Sequence, residues 1–80
     1  MATEDIAQRV QDVIAASLKL ERSSVRPEAS FKADLVTDSL DVIEMALAME
    51  KEFGIHVPDE VLPQMKTVQD AIDYITKHVP

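Results

Sequence analysis

Cysteine and tryptophan are both missing from this chain, and glycine appears once, at Gly54. The lack of cysteine excludes disulfide staples, thiolate metal sites and a cysteine nucleophile together, so any thiol the protein uses must come on a bound group. With a single glycine, no glycine-rich phosphate cradle can be built either. Positive charge is also scarce: 8 Lys and Arg face 15 Asp and Glu, a formal net charge of -7. That balance argues against binding nucleic-acid backbones, which takes clustered cations to displace counterions. The expected partners are basic or present a basic patch. No stretch approaches the roughly 20 apolar residues of a membrane-spanning helix. The opening Met1-Ala2-Thr3-Glu4-Asp5-Ile6 lacks the cationic start and apolar run of a secretion signal. The expectation is a cytoplasmic monomer with no membrane span.

What is present suits a small helical protein. Eighty residues, 46% apolar and 29% charged, fit one folded domain over 1–80 with a modest core. Thr3 can cap a first helix over residues 4–19, with Glu4 and Asp5 in its opening turn. Ile6, Val10, Val13, Ile14 and Leu18 then form one apolar stripe, with Gln8, Arg9, Gln11 and Asp12 on the remaining surface. From Leu20 to Asp38 the helical pattern lapses, and Ser23, Ser24, Pro27 and Ser30 punctuate a connection of unusual length. Phe31 and Leu35 are its expected anchors in the core.

Asp38 and Ser39 are both residue types that start helices, and Gly54 followed by Pro58 gives the stop. A second helix is expected over 39–53. On a wheel of about 100° per residue, Val42, Met45, Ala46, Met49 and Phe53 share a core face. Leu40, Ile43 and Leu47 fall nearly opposite, flanked by Asp41 and Glu44 on one side and Glu50 on the other. One bundle can bury only one of these stripes. Leu40 either packs beneath the long loop or stays exposed, whereas Ile43 and Leu47, rimmed by acids, read as a docking patch. Asp59 is expected to cap a short third helix over Glu60 to about Leu62, restricted by Pro63, with Val61, Leu62 and Met65 closing the open side. Thr67 and Asp70 form a capping-box pattern before a last helix whose apolar face is Val68, Ala71, Ile72, Ile75 and Val79. The fold class is therefore all-α: a small four-helix bundle with a long first loop and a short third helix.

Three chemistries are open to Ser39. Its position at a helix start makes it a plain cap or, because the dipole and free amides favour an anion, a residue that carries a phosphate. A hydrolytic triad with His56 lacks the Gly-x-Ser-x-Gly context, and His56 reads as a solvated loop residue. His78 reads as a residue that complements the dipole at the end of the last helix. Asp34, Asp38 and Asp41 lack the glycine and terminal glutamate of a calcium hand, so no metal site is expected. Met45, Met49 and Met65 read as core, of a flexible kind that could part for an aliphatic chain.

The run Asp38-Ser39-Leu40, followed by Asp41, Glu44, Glu50, Phe53 and Ile55-x-Val57-Pro58-Asp59-Glu60, resembles the acyl carrier proteins of dissociated fatty-acid synthesis. The likeness extends through Thr67-Val68-Gln69-Asp70-Ala71-Ile72-Asp73-Tyr74-Ile75. It implies that Ser39 receives 4′-phosphopantetheine from coenzyme A and that the arm's thiol holds acyl chains as thioesters. It implies further that Asp38 and Leu40 complete the triplet read by a phosphopantetheinyl transferase. Asp41, Ile43, Glu44, Leu47 and Glu50 would meet fatty-acid synthesis enzymes that carry basic docking patches. The chain itself would not be an enzyme. Val36-Thr37 stands where the family usually has Gly-Ala, Lys51 replaces a common acid, and Val61-Leu62-Pro63 replaces a more acidic third helix. A carrier for a polyketide or specialised lipid pathway, an unmodified helical adaptor and a small serine hydrolase are the alternatives.

Overall fold

A computed structural model describes residues 3–35 and 38–79, with side chains from Ile6 onward. The expected turn effect of Val36-Thr37 lies outside the described residues, and Thr3 is the first residue of the first helix rather than its cap. Three α-helices, α1 (Thr3–Leu18), α2 (Ser39–Phe53) and α3 (Val68–His78), are joined by a 3-10 turn at Arg22–Ser24 and a 3-10 helix at Asp59–Gln64. No strand occurs among the described residues, only an isolated bridge between Ser30 and Thr67.

Helix α1 is the hub, packing on both α2 and α3. Val10 and Ile14 are wholly buried, and Ile6, Val13 and Leu18 pack at the margin of the same core. The helix stops one residue earlier than its pattern suggests. Lys19 adopts a left-handed conformation (φ 57°) and the Leu20 amide reaches back to the Ala15 carbonyl at 2.9 Å, which is how helices often end. Gln11 is a correction to the sequence reading, because it is buried rather than on the surface. Its Nε2 donates to the Val25 carbonyl at 2.8 Å and its Oε1 accepts from Arg22 at 3.1 Å. A buried amide with both ends satisfied costs little and fixes the start of the long connection.

That connection is packed onto the body. The Cα radius of gyration is 11.2 Å, against about 11.6 Å for a compact domain of this length. Val25, Ala29, Phe31 and Leu35 all turn inward and are buried. The Asp34 and Leu35 amides both bond to the Ser30 carbonyl, and an Asp34 carboxylate oxygen accepts from the Ser30 amide at 2.7 Å. This closed turn sets Phe31 and Leu35 on one side. The segment is also stitched to the start of α3: Phe31 N–H donates to Lys66 C=O (3.0 Å), Val68 N–H to Ala29 C=O (3.0 Å) and Gln69 N–H to Pro27 C=O (2.8 Å). The orphan amides of the α3 first turn are thus satisfied partly by the loop and partly by Thr67 and Asp70, whose reciprocal capping box forms as expected.

The third helical segment differs from expectation in kind. It is a 3-10 helix with Pro63 inside it, and Asp59 is its first residue rather than its cap, since Pro58 precedes it. Val61 N–H donates to Pro58 C=O at 3.0 Å and Met65 N–H to Leu62 C=O at 3.1 Å on either side of the proline, and the missing Pro63 donor breaks neither bond. Gly54 closes α2 with a left-handed conformation (φ 65°) that side chains rarely adopt. Beyond it, Val57 and Met65 complete the core, with Val61 and Leu62 half-buried over it.

The loop anchor is open to test. Phe31→Ala should lower the unfolding free energy by about 3–5 kcal/mol, much of the roughly 4–12 kcal/mol available to 80 residues. Chemical denaturation reads it, and a loss below about 1 kcal/mol would show that the loop is not held by this ring.

Candidate functional site: the head of helix α2

Which of Asp38 and Ser39 caps α2 decides what Ser39 is free to do. The structure gives the role to Asp38. Its carboxylate accepts from the Asp41 amide at 2.9 Å, and the Asp41 carboxylate accepts from the Asp38 amide at 3.2 Å, a reciprocal box built from two aspartates. Ser39 becomes the first helical residue and is exposed. Its hydroxyl has no hydrogen-bond partner among the described residues, and the amides of Ser39 and Leu40 find no acceptor there. A free hydroxyl at the positive end of a helix, with unsatisfied amides beside it, is disposed to carry an esterified anion.

Beside Ser39 opens a cleft of about 650 Å³, walled by Ser30–Lys32, by the first turn of α2 and by the 59–66 segment. Phe31, Val42, Ile43, Leu62, Pro63 and Met65 supply its apolar surface, and Lys32 and Lys66 also line it. Ser39 itself lines this cleft. Of its residues, sequence reasoning singled out the α2 members, and assigned Phe31, Leu62 and Met65 to packing. Lys32, Lys66 and Ser30 were missed. They come from two separate segments joined by the Ser30–Thr67 bridge and by backbone bonds such as Phe31 N–H to Lys66 C=O, and no local pattern marks that meeting.

The outward face of α2 is as the wheel requires. Met45, Ala46, Met49 and Phe53 are buried, while Leu40, Ile43 and Leu47 are 61%, 43% and 55% exposed. Leu40 therefore does not pack beneath the loop. Glu44 is exposed on the same face, and Asp41 is half-buried, with one carboxylate oxygen engaged in the cap. Glu50 is set apart. Its Oε2 accepts from the Val57 amide and stands 3.1 Å from His56 Nδ1, and its side chain is only 23% exposed. Glu50 clasps the chain that follows α2, and its companion His56 is otherwise solvated.

A hydrolytic pairing of Ser39 with His56 fails on geometry. Ser39 and His56 lie at opposite ends of α2, a helix of 15 residues and so about 22 Å long. Asp34, Asp38 and Asp41 each accept from a backbone amide. Among the described residues no cluster of acids and histidines is arranged to hold a metal. His78 stacks on Tyr74 at the end of α3, with ring centroids 4.0 Å apart.

If Asp38 alone is the cap, two neighbouring alanine substitutions should part company. Asp38→Ala should cost about 1 kcal/mol of stability, whereas Ser39→Ala should stay within about 0.5 kcal/mol of the native chain. Thermal unfolding of the pair reads the difference, and equal losses would show Ser39 to be a structural cap.

Comparison with known proteins points the same way. A model of the phosphopantetheine attachment site family matches residues 8–75. The chain is 42% identical over 78 residues to an acyl carrier protein of Rubrobacter xylanophilus, spanning 98% of this chain and 96% of the relative. It is 44% identical over 78 residues to an acyl carrier protein of Cyanidioschyzon merolae, spanning 98% and 86%. To one from Thermosynechococcus vestitus it is 43% identical over 79 residues, spanning 99% and 98%. A helical fold that offers an exposed serine at a helix head, and kinship along almost its whole length, place this chain in the acyl carrier protein family, whose members bear a phosphopantetheine attachment site.

Proposed function

We propose that the chain carries acyl groups on a 4′-phosphopantetheine arm attached at Ser39 and presents them to the enzymes of fatty-acid synthesis in the cytoplasm. The observation that carries this reading is the Ser39 hydroxyl itself, exposed at the head of α2 and released from capping by Asp38. The residues fit the group: two free amides and the helix dipole favour its phosphate, and the apolar cleft adjoins the point of attachment. When bound, the group supplies a flexible arm ending in a thiol, the nucleophile that a cysteine-free chain cannot provide. Asp38 and Leu40 flank the serine as features for a phosphopantetheinyl transferase to read. Leu40 is well placed for that, since its side chain stands in solvent.

Visiting enzymes are met by the exposed face of α2. Ile43 and Leu47 form its apolar centre, with Glu44 and Asp41 at the rim. Exposed ion pairs contribute about 0.2–1 kcal/mol each and are screened by salt. Such a rim speeds encounter and orients docking without preventing release, which a carrier serving several enzymes requires. Glu50, which holds the segment after α2 through the Val57 amide, also borders this face beside Glu44 and Leu47. No described helix is long and apolar enough to cross a membrane, in keeping with a carrier that moves between enzymes.

Incubating the native chain with coenzyme A and a broad-specificity phosphopantetheinyl transferase should add the mass of one phosphopantetheine, and Ser39→Ala should add none. An unchanged native mass would instead support an unmodified adaptor, and cofactor-free ester hydrolysis lost in Ser39→Ala would support a hydrolase.

The two acids on α2 should separate in the same preparations. Glu44→Lys should slow turnover of the loaded chain by a ketosynthase at low salt and leave the melting temperature nearly unchanged. Glu50→Ala should lower stability by about 1–3 kcal/mol, because the half-buried Val57 amide loses its acceptor. The reverse pattern would exchange their roles.

A further inference from the structure

Among the described residues, Arg9, Arg22 and Arg26 each pair with a carboxylate. Lys32 and Lys66 do not, yet both line the cleft that adjoins Ser39. They come from segments bonded to each other, since the Phe31 amide donates to the Lys66 carbonyl at 3.0 Å beside the Ser30–Thr67 bridge. Two unpaired cations are therefore fixed to one wall of one cleft, in a chain of net charge -7. We propose that Lys32 and Lys66 hold the phosphate of the prosthetic group on Ser39 and so set the side from which its arm leaves. This rests on the carrier reading above.

The phosphate needs such help. It brings a negative charge to a turn that already holds the Asp38 and Asp41 carboxylates, and Asp59 lines the same cleft. Self-repulsion in an acidic chain would otherwise count against the loaded form. Charges beyond the screening length of about 8 Å contribute little in physiological salt. Lys19, Lys51 and Lys77 are not among the cleft residues. Lysine suits the task because it puts a compact charge and three donors on a flexible stem, able to follow a phosphate whose exact seat is not rigid. A phosphate drawn to this wall sends the arm over Phe31, Leu62 and Met65. The exposed Leu40 and Leu47, which do not line the cleft, are then left clear for enzymes.

The test compares unloaded and loaded forms of four chains: native, K32Q/K66Q, K32R/K66R and the control K19Q/K77Q. The control makes the same change in net charge away from the cleft. The quantity read is the change in melting temperature on loading, in low salt and in 1 M sodium chloride, with the 31P resonance of the loaded form as a second readout. At low salt the change should be less favourable by about 2–6 °C in K32Q/K66Q than in the native chain. It should be native-like in K32R/K66R and in the control. The difference should collapse at 1 M salt, where screening acts within about 3 Å, and the 31P resonance should move in K32Q/K66Q alone among the variants. Equal changes in native and K32Q/K66Q chains with an unmoved resonance, or an equal deficit in K19Q/K77Q, would overturn the proposal while leaving the carrier reading intact. A native chain that accepts no phosphopantetheine would overturn both.

Discussion

The Asp38–Asp41 capping box is the constraint from which the functional geometry follows. A helix head has four amides without intrahelical partners, and some residue must answer them. Had Ser39 been the cap, its oxygen would be spent on a backbone amide and directed back into the helix. Because Asp38 takes that role one residue earlier, Ser39 enters the first turn exposed and with no partner for its hydroxyl among the described residues. The same carboxylates keep the head of the helix negative, which is the electrostatic problem that the lysines on the cleft wall answer.

The rest of the fold serves to hold that helix head in place with one side open. Helix α1 packs against α2 and α3, and the 20–38 connection is fastened to the start of α3 by three backbone bonds and by Phe31 and Leu35 in the core. At the other end, Glu50 ties the chain after α2 through the Val57 amide, and Arg9 pairs with Glu52 while its guanidinium lies 4.7 Å over the Phe53 ring. Both ends of α2 are thereby fixed on its inner side. Its outer face is left without an intramolecular partner, which is costly for Leu40 and Leu47 unless something else visits them.

Periodicity made the helices legible. The α2 bounds, both faces of that helix and the α3 core positions could be read from the sequence, because a 3.6-residue repeat writes burial directly into residue order. The Thr67–Asp70 box was legible for a similar reason, its signal lying within four residues. Gln11 was not, since a polar side chain becomes a core residue only when the Val25 carbonyl and Arg22 arrive to satisfy it. Glu50 looked like its neighbour Glu44 for the same reason, as nothing local foretells that the Val57 amide folds back onto it. The 3-10 character of residues 59–64 reflects a compromise around Pro63 that propensity alone does not resolve. The cleft was invisible because three separate segments build it. Ser39, the proposed attachment point, was marked in contrast by its triplet and by the acids around it.

Carriage by this chain depends on one atom, the Ser39 hydroxyl oxygen, being the one left free for an incoming phosphate. Tandem mass spectrometry of peptides from the enzymatically loaded native chain tests this most directly, because Ser30 lines the same cleft and Ser17, Ser23 and Ser24 offer hydroxyls elsewhere. The account predicts that fragment ions place the added mass on Ser39 alone. Fragments placing it on Ser30 or any other residue would contradict it.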